Sequence, residues 1–245
     1  MDVFGDAWTY LTDGASWTGN GGMLELLVQQ LLLSITALVL AVVVALPIAF
    51  WLGHIGKGGF LAVSISNIGR AVPTLALLAI LVRAEWPGTA HLGPYGRAGL
   101  ATLIALALFA LPPLITQTYV AVREVPADTK EAAVGLGMTG WQLFLRVELP
   151  LALPLVLSGV RLAIVQVWAT ATIAALVAGP GLGNVITAGF ANQRYGQGIA
   201  GAIVVAAVAL ALEVAAALAV RAITRERAAD PGSTPRNSAA PHPAG

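Results

Sequence analysis

From Leu24 to Leu52 the chain is an almost unbroken apolar run, and this run limits what the rest can become. A bilayer core of about 30 Å takes roughly 20 residues of helix, so the run is long enough to cross it. Comparable runs recur at Phe60–Val82, Ala98–Val122, Leu151–Ala178 and Ile199–Ile223. The chain is 58% hydrophobic and 10% charged, with a mean hydropathy of +0.83. A soluble domain carries about 25% charged residues, and no soluble core of 245 residues could hide so much apolar surface. The solvent is therefore lipid. The expected fold is all-α, a polytopic membrane protein with about five transmembrane helices.

Each run carries polar marks. Gln29, Gln30, Ser34 and Thr36 in the first point to a face against protein, and Pro47 suggests a kink. The second holds Ser64, Ser66, Asn67, Arg70 and Pro73. A central Arg costs about 2.5–3.5 kcal/mol on insertion scales and turns to the bundle interior or to water. Pro112-Pro113 in the third implies a bend or an unwound turn, followed by Thr116-Gln117-Thr118-Tyr119. The fourth carries Arg161, Gln166, Trp168, Thr170 and Thr172; the fifth is nearly all Ala and Val, with Glu213 alone. Small side chains on that last run favour close helix packing. Residues 1–22 form a polar N-terminal segment, with Trp8, Tyr10 and Trp17 as aromatic interface anchors and a surface-lying or re-entrant helix as an option. They lack the positive region and apolar core of a cleaved signal peptide. Residues 83–97 and 179–198 read as loops, and 224–245 as a disordered tail.

The longest charged break is Arg123–Pro150, with Arg123, Glu124, Asp128, Lys130 and Glu131 in its first nine residues. Pro126 opens a short helix that Asp128 or Thr129 can cap. Gly135 and Gly137 end it, because glycine enters the left-handed region freely. Thr139 caps a second helix with Trp141, Phe144, Leu145 and Glu148 on one side, until Pro150 interrupts. A helix-turn-helix between spans suits a docking surface on the water side.

The spacing Glu131-Ala132-Ala133, Gly137, Val147, Leu149-Pro150 resembles the EAA signature of membrane subunits of binding-protein-dependent ABC importers, with Val147 where that family usually has Ile. Further stretches resemble the osmoprotectant (glycine betaine, choline, carnitine) permeases: Ile68 to Ala79, Phe109-Ala110-Leu111-Pro112-Pro113 with Thr118-Tyr119, Val147 to Pro154, Gly159-Val160-Arg161, and Gly179 to Gly183. The likeness runs over roughly Leu24 to Ala222. Arg70 stands where Gln or Thr is usual, and Gln117 lies near the usual Asn.

The resemblance implies a type I, methionine-importer-like permease fold: a membrane domain over residues 23–223 with a coupling loop at 123–150. It implies no cofactor in this chain, with ATP and magnesium on a partner ATPase. It also implies a separate extracellular or lipid-anchored solute-binding protein and a second permease, as homodimer or heterodimer. The loop contacts the ATPase through Glu131, Ala132, Ala133, Gly137, Leu149 and Pro150, with Gly137 letting the two short helices pack closely. Asn67, Arg70, Pro73, Thr74, Gln117, Thr118, Tyr119, Gln166, Trp168 and Thr172 are candidates for the translocation path, or equally for interhelical hydrogen bonds. A quaternary ammonium offers no strong donor, so aromatic faces suit it best; Trp168, Tyr119 and Trp51 qualify, though each also suits packing or an interface. Arg161 reads as structural, binding carbonyls or a helix end near the cytoplasmic side.

Charge sets the orientation. Eight Lys and Arg fall in the turn after the first run, the 123–150 break, or the C-terminal end; three fall in the alternate loops. The positive-inside rule puts the break and the C-terminus in the cytoplasm and residues 1–22 outside, in a cell (inner or plasma) membrane. Net charge is +1, so there is no nucleic-acid footprint, and with no cysteine there is no disulfide or cysteine nucleophile. No HExxH, CxxC, Walker A or ribose-binding GxGxxG pattern is present, and His54, His91 and His242 are scattered, so an enzyme or metal site is not expected. The alternatives are a permease for another small solute (an amino acid or sulfonate), a secondary transporter using Glu213 for protons, or a scaffold.

Overall fold

The computed structural model describes residues 2–56, 58–60, 64, 67, 69 and 71–228. The N-terminal segment is helical, as α1 (Val3–Thr12) and α2 (Gly14–Trp17), each started by an aspartate. The oxygens of Asp2 and Asp13 accept from Gly5 and Ala15 N–H, taking up donors that a first turn leaves free. Then come α3 (Met23–Ile55), α4 (Thr74–Arg83), α5 (Gly99–Arg123), α6 (Ala127–Gly135) and α7 (Gly140–Leu143). A π-turn (Phe144–Glu148) leads into α8 (Leu149–Ile173); α9 (Gly183–Ala191) and α10 (Tyr195–Ala228) complete the chain. Among the described residues four helical stretches are long and apolar enough to span a membrane: Met23–Ile55, Gly99–Arg123, Gly140–Val177 and Tyr195–Thr224.

α3 and α5 run side by side. Their directions place the end of α3 and the start of α5 at opposite ends of the bundle, so the chain between them crosses once more. Ten-residue α4 is the main described part of that crossing; seven residues of the expected 60–82 span, Ser66 and Arg70 among them, lie outside the described residues.

α3 is apolar on all sides, so hydropathy cannot say which face turns in. Leu33, Ala37, Ala41, Ala45 and Ala49, four residues apart, are fully or almost fully buried, while Val39, Leu40, Val43 and Val44 stay exposed. In lipid, burial gains little, and close backbone approach gains more through dispersion. Small residues therefore take most of the α3 interface, and the larger ones on its other faces stay exposed. The stripe packs on Leu106, Ala110 and Leu114 of α5 and Ala163, Val167 and Ala171 of α8. At its foot, a Cβ on Gly53 would lie 2.7 Å from Val122 Cβ. The close packing expected of the last run is confined to its first part. Between 205 and 224 no residue of α10 is buried.

Several expectations are corrected. α5 stays helical through Pro112-Pro113, with no unwound turn, and the Thr116 hydroxyl donates to the Pro112 carbonyl at 3.0 Å. Segment 179–198 contains nine-residue α9 and the start of α10. Its glycine-rich Gly179–Gly183 is a turn held by Asn184 Nδ2, which donates to the Gly179 and Gly181 carbonyls. Helix also continues to Ala228, into the expected tail; residues 229–245 lie outside the described residues.

Candidate functional site: coupling elbow and polar cleft

The elbow is built by local chemistry. Pro126, whose fixed φ suits a helix start, stands at the N-cap of α6 without any side-chain cap; Asp128 sits in the first turn instead. After α6 the Leu136, Gly137 and Met138 N–H groups fold back onto the carbonyls of Ala132, Val134 and Ala133. Gly137 is at φ +83°, and a Cβ there would meet nothing within 4 Å. Its need is conformational, not the close helix packing expected of it. Thr139 caps α7 as expected. Its hydroxyl accepts from Gln142 N–H at 3.4 Å, and Gln142 Oε1 accepts from Thr139 N–H at 2.9 Å, which satisfies two free donors reciprocally.

Pro150 does not interrupt. In the π-turn Leu149 N–H bonds to the Phe144 carbonyl, five residues back, and Pro150 falls in the first turn of α8, where no N–H is needed. The π-turn also redirects Glu148. Sequence spacing set it beside Trp141 and Leu145, but Trp141 and Leu145 are exposed while Glu148 is 2% exposed. His54 Nδ1, at the end of α3, lies 2.5 Å from Glu148 Oε2; Lys130 Nζ lies 3.7 Å from Oε1 and donates to the Val122 carbonyl at 3.3 Å. A buried carboxylate needs such partners. Glu148 thus joins the feet of α3 and α5 to the elbow. Phe144 stacks edge-on against Phe50 and His54 alongside.

Of the predicted ATPase contacts, Glu131, Ala132 and Gly137 are exposed, Leu149 and Pro150 half-buried, and Ala133 is turned inward and buried. Val134 and Leu136 flank them as exposed apolar residues, Leu136 at 82%.

Deeper in the bundle a cleft of about 250 Å³ opens between α4, α5 and α8, lined in part by Thr74, Thr116, Gln117, Leu162 and Gln166. Close backbone approaches shape it: a Cβ on Gly159 would lie 2.8 Å from Gln117 Cβ, and one on Gly69 would lie 2.3 Å from Pro112 Cγ. Of the path candidates the structure brings Thr74, Gln117 and Gln166 together here. Pro73 caps α4 beside the cleft, and Asn67 is exposed elsewhere. Arg70 lies outside the described residues. Thr118 is buried, and Tyr119 packs on the main core.

Trp168 and Thr172 serve another purpose. Fully buried Trp168 donates from Nε1 to the Val205 carbonyl at 3.0 Å. Thr172 accepts from Gln30 Nε2 at 2.9 Å, while Gln30 Oε1 accepts from Leu182 N–H. Gln30 therefore ties α3 to α8 and to the 179–182 turn. Trp51 is exposed beside an apolar cleft near the elbow, with Phe50, Trp141 and Phe144. Arg161 does not bind carbonyls or a helix end: it pairs with Glu213, donating from Nε to Oε1 at 2.8 Å. Spacing could not reveal the Arg161–Glu213 and His54–Glu148 pairs, because their partners lie 52 and 94 residues apart. Among the described residues no group of His, Asp and Glu is arranged to hold a metal.

Residues 37–228 match the family model for the binding-protein-dependent transport system inner membrane component. The chain belongs to this family of membrane transport components. Within the family it is 34% identical over 187 residues to the carnitine transport permease protein OpuCB of Listeria monocytogenes, covering 76% of this chain and 81% of that one. It is 29% identical over 207 residues to the glycine betaine/carnitine/choline transport system permease protein OpuCB of Bacillus subtilis, covering 84% and 91%. In fold it is similar to an inward-facing form of the MetNI methionine ABC transporter, with a TM-score of 0.66 at 20% identity over 80% of this chain and 93% of that one. The expected type I importer permease fold and a multi-pass place in the membrane therefore hold.

Proposed function

We propose that this chain is the permease subunit of an ABC importer that carries a quaternary-amine osmoprotectant, such as glycine betaine, choline or carnitine, into the cytoplasm. The observation that carries this reading is 29–34% identity, over 76–84% of the chain, to permeases named for these solutes. The elbow supports the mechanical part. It offers exposed Leu136, Val134 and Trp141 around exposed Glu131, and an apolar patch facing water marks an interaction site.

A separate cytoplasmic ATPase, holding ATP and magnesium, grips the elbow. Glu148, through His54 and Lys130, passes the displacement to α3 and α5. The spans rock, and the path opens outward to a loaded solute-binding protein. A second permease closes the other side of the path. The elbow and the C-terminal end of α10 face the cytoplasm, with α1 and α2 outside.

The test is reconstitution. The permease is purified with its ATPase, placed in proteoliposomes with the solute-binding protein, and given labelled glycine betaine, choline and carnitine. Uptake of at least one, dependent on both ATP and the binding protein, is expected. Uptake driven by a proton gradient without the ATPase, or uptake of only an amino acid or sulfonate, contradicts it.

A further inference from the structure

Arg161 lies 12 residues beyond the start of α8, roughly 18 Å along it, and Glu213 lies near the middle of 34-residue α10. The pair is therefore at mid-depth in the membrane. Yet the two side chains are 40% and 36% exposed. Hydrocarbon cannot solvate them, and a charge at the bilayer centre is costly even on lenient scales. This face must meet water or polar matter.

The pairing is also incomplete. Arg161 Nε and Nη2 both donate to Glu213 Oε1. Arg161 Nη1 and Glu213 Oε2 have no partner among the described residues. The pair lines a cleft of about 360 Å³ together with Ser158, Leu162 and Val165. Leu162 also lines the polar cleft of Gln117 and Gln166, so the two clefts adjoin.

We propose that Arg161 and Glu213 form a solute-selecting charge pair in the translocation path, completing a polar seam with Gln166 and Gln117. This rests on the osmoprotectant reading above. A zwitterionic solute matches the pair in sign at both ends. Its carboxylate takes the guanidinium edge through Nη1 and Nη2, a planar fork suited to bidentate carboxylate binding, and its ammonium turns to Glu213. Choline has no carboxylate and engages Glu213 alone.

The test is uptake of labelled glycine betaine and choline by the reconstituted complex, with the binding protein loaded and in excess. Arg161→Lys keeps the charge and loses the fork. It is expected to raise KM for betaine about fivefold and leave choline unchanged. Glu213→Gln keeps a hydrogen bond to Arg161 and is expected to lower choline uptake about tenfold and betaine less than about twofold. If both variants change the two solutes by one common factor, or change neither, the pair is a structural staple and the inference falls alone. A wild-type complex that carries none of glycine betaine, carnitine and choline overturns the osmoprotectant reading and this inference with it; where carnitine is the zwitterion carried, it takes the place of betaine in the same comparison. Monodisperse size-exclusion profiles of both variants exclude misfolding as the cause of any loss.

Discussion

Gly137 and Glu148 sit in the same elbow for different reasons: Gly137 for its backbone conformation, Glu148 for the partners its burial requires. Gly137 stands in open space at φ +83°, and neighbouring Gly135 is also in open space but ends α6 at ordinary helical angles. Gly137→Ala is expected to destabilise by about 1–2 kcal/mol through left-handed strain. Gly135→Ala is expected to be neutral or to stabilise by up to about 1 kcal/mol. Thermal unfolding of the two variants in detergent separates them. Glu148→Ala removes the anion between His54 and Lys130. A buried pair losing one partner costs about 3–5 kcal/mol. Here about 2–3 is expected, since Lys130 and His54 are 19% and 27% exposed and can reach water. Glu148→Gln should lose less, and the same unfolding curves measure it.

At this scale the sequence is legible where chemistry is local: the Thr139 cap and the Gly137 turn follow from their own neighbours. Glu148 was misplaced because the π-turn shifts the side-chain phase, and hydrogen bonding five residues back leaves no mark in spacing. The resemblance to the EAA signature puts Ala133 among the ATPase contacts, but the structure buries it and leaves Ala132 and Leu136 outside.

The long helices were legible to within a few residues at most ends, because 20 or more apolar residues have few other stable uses in lipid. α3 begins at Met23 and α5 at Gly99, against expected starts of Leu24 and Ala98. What hydropathy concealed was helix orientation. The alanine stripe of α3 is set by packing distance and not by polarity. Short α9 is buried at Gly183, Val185 and Gly189, but its glycines mimic a turn and give its stretch the pattern of a loop.

The same close packing sets a prediction for the α5–α8 contact. Gly159→Val brings a branched side chain against Gln117, where even a Cβ would lie at 2.8 Å. It is expected to cost about 1–3 kcal/mol by overpacking and to displace Gln117 from the cleft. A lowered unfolding temperature together with slowed uptake checks it; a variant as stable and as active as the wild type contradicts the packing account.

At the scale of the whole molecule, several surfaces of the single chain stay open. α10 has no buried residue between 205 and 224, and a mid-membrane ion pair lines a cleft on the surface of a single copy. The elbow gathers exposed apolar residues at the end where α3 and α5 finish. The proposed function needs force from a neighbouring ATPase, delivered at the elbow. The absence of native cysteine makes the direct measurement simple. A single Leu136→Cys variant is expressed with the ATPase and treated with a short thiol-to-amine crosslinker. Intact cells are treated in parallel with a membrane-impermeant maleimide. The account predicts a covalent adduct with the ATPase subunit and no labelling until the membrane is opened. Labelling of Leu136→Cys from outside intact cells, with no adduct to the ATPase, would contradict it.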